Sequence, residues 1–203
     1  MLFRSRTFAR DEELFSQGQP VRIFIVLESG CVKQTQLSSS GDEVLLRMST
    51  SGEAVNAQAA SRDCCAHSCS ARALEICKAL VWEHGRLQQI LDKFPQVRLN
   101  MSRIVDGHLQ EMEERFRELA TEKVARRLAL ALIRLAKQVG KPCQEGLQVF
   151  LSREELAQMT GTTLFTISRV LSKWADLGLV IPRREAVVIR NSARLEAVSE
   201  MEN

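Results

Sequence analysis

The sequence contains no uninterrupted apolar run approaching the roughly 18 residues that a bilayer-spanning helix requires. Nor does an apolar h-region follow its first residues, which carry Arg4, Arg6, Arg10, Asp11, Glu12 and Glu13, so a secretory signal is not expected and a cytoplasmic location is. Net charge is scarce: +3 over 203 residues is too little for a protein that coats nucleic acid by bulk electrostatics, so any such binding must be local. The chain has no Cys-x-x-Cys pair, no Ser/His/Asp array, no phosphate-cradling glycine loop and only 3 histidines. A thiol or metal enzyme therefore has nothing beyond the cysteines in its favour. What is there, 45% hydrophobic and 26% charged residues, is the composition of an ordinary globular protein with room for one large or two small domains.

Charge is unevenly spread. Residues 1–94 hold 11 basic and 11 acidic side chains, residues 95–140 hold 9 and 6, and residues 141–203 hold 8 and 8. Within the last stretch, Met159–Arg184 sets Arg169, Lys173, Arg183 and Arg184 against Asp176 alone, a small positive face. The 6 cysteines, in a chain with no signal peptide expected, point to reduced thiols, metal ligands or redox sensing in preference to a disulfide framework.

The first ninety or so residues read as antiparallel β-structure, because Gly18, Gly30, Gly41 and Gly52 recur at even intervals between short apolar runs. The runs are Ile23–Leu27, Val32–Leu37, Val44–Met48, Ala71–Ile76 and Ala79–Trp82. Ala57–Ser70, rich in Ala, Ser and Cys, reads as a loop or short helix. From Pro95 the period becomes helical. Val105, Leu109, Met112, Phe116 and Leu119 follow the a/d spacing of a coiled-coil seam, flanked by Glu111, Glu113, Glu114, Arg115 and Arg117. The stripe predicts dimerisation, or else a helix laid on its own domain. A second helix from Thr121 to Val139 follows, with Val124, Leu128, Leu132, Leu135 and Val139 on one face, and Gly140–Gly146 reads as a surface connection.

The most informative segment is Ser152–Trp174. Ser152-Arg-Glu-Glu155 has the capping-box form, so a helix should start there. Gly161 sits where a tight turn needs a residue without a Cβ, and Thr163 can cap a second helix with Ile167, Val170, Leu171 and Trp174 inside. Ala157, Gly161, Ile167 and Val170 fall at the small, turn and core positions of a helix-turn-helix, and Leu179–Ile181 with Val187–Ile189 bracket Pro182–Glu185 as a hairpin wing. The outer side of the second helix offers Thr162, Thr163, Thr166, Ser168, Arg169, Ser172 and Lys173, hydroxyls and cations suited to phosphate oxygens and, for Arg169, to guanine. Phe165 either touches thymine methyl groups or turns inward and packs. A helical hairpin with no nucleic acid in view is the competing structural reading.

These features together resemble the CRP/FNR family of bacterial transcription regulators over most of the chain: a glycine-punctuated β-roll, a long helix from Pro95, then Leu151-Ser-Arg-Glu-Glu-Leu-Ala-Gln-Met-Thr-Gly161 and Thr166-Ile-Ser-Arg169. The resemblance implies an α+β chain with a cyclic-nucleotide-binding-like β-roll sensor domain at 1–94, a dimerisation helix at 95–120 and a winged helix-turn-helix domain at 121–203. It implies a homodimer on a palindromic DNA operator, contact with RNA polymerase, and an effector or redox state sensed in the roll. By family position Ser168 and Arg169 contact bases and phosphate, and Ser152 contacts phosphate. Phe165 replaces a base-reading Glu, so the operator should differ from the family consensus there. The family's nucleotide-holding Gly-Glu and Arg-Ser pairs become Asn56-Ala57 and His67-Ser68, so cyclic nucleotide binding is not expected.

Asp63-Cys64-Cys65-Ala66-His67-Ser68-Cys69 gathers soft ligands in the same loop. Cys64, Cys65, His67 and Cys69 could hold zinc, Cu(I) or an iron-sulfur cluster, serve as a thiol switch sensing redox state, oxygen or nitric oxide, or simply fill a loop. Vicinal Cys64 and Cys65 could bridge only with strain. Cys77 stands where oxygen-sensing members carry an internal cluster ligand, although their three amino-terminal cysteines have no counterpart in the sequence. If residues 70–77 form one strand, Cys69 and Cys77 lie roughly 26 Å apart, which keeps Cys77 out of the loop group. His84 and His108 read as ordinary helix or surface residues. A constitutive regulator without an effector is the alternative to a sensing one.

Overall fold

The computed structural model describes residues 3–61 and 66–201. Two compact units, Met1–Met112 and Glu113–Asn203, divide the chain inside one long helix. In the first unit, strands β1 (Arg4–Phe8), β2 (Glu13–Phe15), β3 (Ile23–Ser29), β4 (Val32–Leu37), β5 (Glu43–Ser49), β6 (Ser70–Ala73) and β7 (Cys77–Glu83) precede helix α1 (His84–Lys93). They form two antiparallel sheets, ordered β1-β7-β3 and β2-β6-β4-β5. The apolar runs of β3 and β4 appear where the alternation places them. β1, mostly polar, and β2, only 3 residues long, were not marked by hydrophobicity.

The expected Ala71–Ile76 strand is shorter than its apolar run. β6 ends at Ala73 and β7 starts in the other sheet at Cys77, so the chain changes sheets through Leu74–Ile76. This overturns the premise of one continuous strand: Cys69 and Cys77 belong to one buried cluster with Phe8, Leu14, Phe15 and Ile25. Within Ala57–Ser70, Ala57–Ala60 forms a 3-10 turn. Its Ala57 and Ala59 join Val21, Phe24, Leu87 and Leu91 in a second buried cluster, which receives Met101 from helix α2 (Pro95–Thr121).

All four punctuating glycines have positive φ, between +80° and +96°. Gly30 is the tightest of them: a Cβ there would lie 2.6 Å from Cys77 Sγ and 2.9 Å from Ile76 O, in a backbone conformation that L side chains rarely adopt. Gly30→Ala is therefore expected to lower the unfolding free energy of the first unit by about 2–4 kcal/mol in a urea titration, through backbone strain and overpacking together.

Several polar side chains inside the roll pair with one another. Gln34 Nε2 donates to Ser49 Oγ at 3.0 Å, and Cys69 Sγ donates to Gln34 Oε1 at 3.6 Å. The Arg47 guanidinium of β5 donates to His108 Nε2 of α2 and faces Glu53 at 4.0 Å. His108, expected as an ordinary helix or surface residue, is a half-buried residue of α2. Burial first, then the Arg47 charge, holds its pKa at about 4, while Glu111 works in the opposite direction. Burial likewise pushes His67 below its ordinary value. Both imidazoles titrate near 6.5 in the unfolded chain, so below that pH the unfolded state binds more protons. Stability should decline as the pH falls from about 6.5 toward 4. His108→Gln keeps an acceptor for Arg47 but takes up no proton, and is expected to flatten the fall in urea midpoint between pH 7 and pH 5. An unchanged slope would show that His108 is not responsible.

The second unit holds the end of α2 followed by α3 (Val124–Val139), β8 (Lys141–Cys143), β9 (Gly146–Val149), α4 (Arg153–Thr160), α5 (Leu164–Asp176), β10 (Val180–Pro182), β11 (Val187–Ile189) and α6 (Ser192–Met201). Leu128, Leu132 and Leu135 of α3 are buried, as their spacing requires. The stretch expected to be a surface connection, Gly140–Gly146, instead contributes β8. Hairpin β8–β9 extends the wing to a sheet ordered β10-β11-β9-β8. Its Pro and charged residues hid the pattern, because β8 is only 3 residues long and lies at the edge.

Candidate nucleic-acid interface

Helix α4 begins as its capping box predicts. The Glu155 amide donates to Ser152 Oγ at 3.1 Å, and the Ser152 amide donates to Glu155 Oε2 at 2.9 Å. The Ser152 hydroxyl proton goes to Glu155 as well, at 3.0 Å, so Ser152 can donate to a phosphate only by giving up that bond to the carboxylate. Gly161 terminates α4 in the left-handed region, φ 59° and ψ 48°. A Cβ there would stand 2.9 Å from Leu119 Cδ2. Two residues later Thr163 caps α5, accepting from the Thr166 amide at 3.2 Å and sharing a 3.0 Å hydroxyl contact with Thr166.

The inner side of α5 buries Ile167, Leu171 and Trp174, whereas Val170, expected with them, is half-buried. The outer side carries the candidate DNA contacts Thr163, Phe165, Thr166, Ser168, Arg169 and Lys173. Phe165 is 76% exposed, which decides against the packed alternative, and Leu164 beside it is 52% exposed. Phe165 and Arg169, four residues apart, share one face with Lys173 a turn further on. Arg169 is exposed, and no carboxylate among the described residues pairs with it.

Spatial neighbours revise the positive face read from local charge. Arg183 is neutralised across the wing, donating to Glu145 at 3.1 Å and to Gln148 at 3.2 Å, and so drops out of that face. Arg153 joins it from α4, its Nη1 donating to Ser168 Oγ at 3.4 Å. Sequence reading missed Arg153 because its partner lies 15 residues away on another helix. The seam candidates Val105, Leu109, Met112, Phe116 and Leu119 are between 40% and 74% exposed, so none is spent on its own chain's core.

The roll residues behave as structural side chains. Asn56, in place of the family's nucleotide-holding pair, is fully buried; its Oδ1 accepts from the Ile25 amide at 3.0 Å and its Nδ2 donates to Ile23 O at 2.8 Å. His67 is buried and stacked on Phe15 with ring centroids 3.9 Å apart. Cys64 and Cys65 lie outside the described residues. Burial pushes the Cys69 and Cys77 thiols up, which disfavours the thiolate that metal binding or redox chemistry requires. As placed, His67, Cys69 and Cys77 fit core packing better than ligation, and among the described residues no group of three or more His, Cys, Asp or Glu is arranged around a cation site. No described helix is long and apolar enough to cross a membrane.

Comparison with known proteins accounts for both units. Residues 5–94 match the cyclic nucleotide-binding domain model and residues 126–198 the Crp-like helix-turn-helix domain model. The transcriptional activator protein anr of Pseudomonas aeruginosa is 25% identical over 97% of this chain and 80% of its own length. The fumarate and nitrate reduction regulatory protein of Escherichia coli is 22% identical over 95% of this chain and 77% of its own. The structure of FixK2 from Bradyrhizobium japonicum shares the fold, with a TM-score of 0.82 at 20% identity over 98% of both chains. With a nucleotide-binding-type roll, a long helix and a capped helix-turn-helix in this order, the chain belongs to the CRP/FNR family and is a DNA-binding transcription regulator.

Proposed function

We propose that the protein acts as a homodimer that reads a palindromic operator, with α5 of each copy in a major groove one helical turn of DNA apart. The observation that carries this reading is the division of α5: Ile167, Leu171 and Trp174 are buried, while Phe165, Arg169 and Lys173 stand on its accessible side. The exposed heptad stripe of α2 supplies the self-complementary surface that a twofold pair requires. Arg169 reads guanine with two hydrogen bonds, and Thr163, Thr166, Ser168 and Lys173 hold phosphates or flanking bases. Phe165 replaces a carboxylate with an apolar ring and favours a thymine methyl group at the position it meets. Ser152 contacts phosphate chiefly through its helix terminus, since its hydroxyl proton is engaged.

The effector is not a cyclic nucleotide in this reading, because Asn56 and His67 are committed to the roll's own packing. Redox or metal sensing rests on Cys64 and Cys65; metal analysis and an absorption spectrum of anaerobically purified protein test it against constitutive binding. Contact with RNA polymerase follows from the family role.

Selection from a random DNA pool should return a palindrome. Arg169→Ala should then cost about 1–3 kcal/mol of specific binding, roughly 5- to 150-fold, with little change in non-specific affinity. No selected palindrome from either reduced or oxidised protein would overturn the reading. Placing charge in the seam, as in Leu109→Glu with Phe116→Glu, should shift sedimentation from twice the chain mass to once. A wild-type protein that sediments as a single chain at binding concentrations would remove the dimer.

A further inference from the structure

The linker between α2 and α3 is only Glu122 and Lys123, and it is held from several sides. Arg127 of α3 donates through Nη1 to Glu122 O at 3.1 Å. The Glu122 carboxylate meets Arg117 and Arg126, each at 3.4 Å. One turn before the linker, Glu118 is 4% exposed, and both its oxygens are taken by the Arg134 guanidinium of α3, at 2.5 and 2.9 Å. Arg127 also donates to the last carbonyls of α4, through Nε to Thr160 O at 3.0 Å and through Nη2 to Gly161 O at 3.4 Å. Leu119, the last residue of the seam stripe, rests over Gly161 on the same side. A cavity of about 10 Å³ bounded by Glu118, Leu119, Arg127, Arg134, Met159 and Thr160 holds one water at most, so this is a packed joint rather than a ligand site.

We infer that Glu118, Arg134 and Arg127 are positioning residues that fix the half-site spacing the homodimer accepts. The inference rests on the homodimeric operator reading above. In that dimer, Phe116 and Leu119 lie in the seam and α5 lies in the groove; the path between them runs through this joint. A forked guanidinium–carboxylate pair fixes orientation as well as distance, and Arg127 carries the constraint from the end of α2 to the turn that precedes α5. One base pair inserted between half-sites rotates the second by about 34° and moves it by about 3.4 Å, a mismatch that a rigid joint transmits to both recognition helices. A loosened joint absorbs it.

The test compares three DNA duplexes: the palindrome selected by the wild-type protein, and the same palindrome with one central base pair inserted or deleted. Wild-type affinity should fall at least tenfold on either change. Glu118→Gln and Arg127→Lys should shrink that penalty to threefold or less, while point substitutions within a half-site keep their wild-type penalties. Arg134→Lys, which keeps the charge and loses the fork, serves where thermal denaturation shows another variant unfolded at the binding temperature. A merely structural role would lower the melting temperature and all affinities together and leave the spacing penalty intact; that result overturns the inference. A selected palindrome with a wild-type spacing penalty in the folded variants overturns this inference alone, whereas no selected palindrome overturns the homodimeric reading and this one with it.

Discussion

The close crossing of α4 and α5 is the constraint on which the DNA-binding half depends. Between the end of one helix and the cap of the next there are only Gly161 and Thr162, so the backbone must enter the left-handed region at Gly161 and leave it capped at Thr163. A side chain at Gly161 would meet Leu119 and add backbone strain. Once that turn is made, the side chains sort themselves. Ile167, Leu171 and Trp174 of α5 are buried, as are Leu156 and Ala157 of α4, while Phe165 and Arg169 on the other side of α5 are exposed.

The roll has kept its family fold while its interior has been turned to packing. Burying amides, hydroxyls and imidazoles costs least when their hydrogen bonds are made internally. Asn56 bridging to β3 and Gln34 paired with Ser49 meet that condition, whereas His67 is stacked on Phe15 with its Nδ1 buried and unpartnered among the described residues. Arg47, reaching from β5 to His108, links the roll to the helix beside it. Asn56, Gln34 and Arg47 are engaged in contacts within the fold, so a charged nucleotide would have to displace them.

Much of the site was legible before the structure. The capping box at Ser152, the turn glycine and the cap at Thr163 are local devices whose partners sit within three residues, and each appears as read. The strands β3, β4 and β5 also follow their apolar runs. Elements whose stability comes from partners far along the chain were not legible: β1 is mostly polar, and β2 and β8 are too short to show a period. For Cys69 and Cys77 residue type suggested ligation, while their burial, which raises the thiol pKa, could be known only from the fold.

Residue order alone settled where α4 and α5 start, which face of α5 is apolar, and the family, since caps, turns and periodicity act over one or two turns of chain. Only the tertiary arrangement decided that Phe165 stands in solvent, that Arg183 is neutralised by Glu145, and that Arg134 and Arg127 clamp the end of α2. Electrostatic and packing partners are chosen by distance in space. The pairs concerned are 38 residues apart for Arg183 and 16 for Arg134, separations at which no local pattern in the chain carries the information.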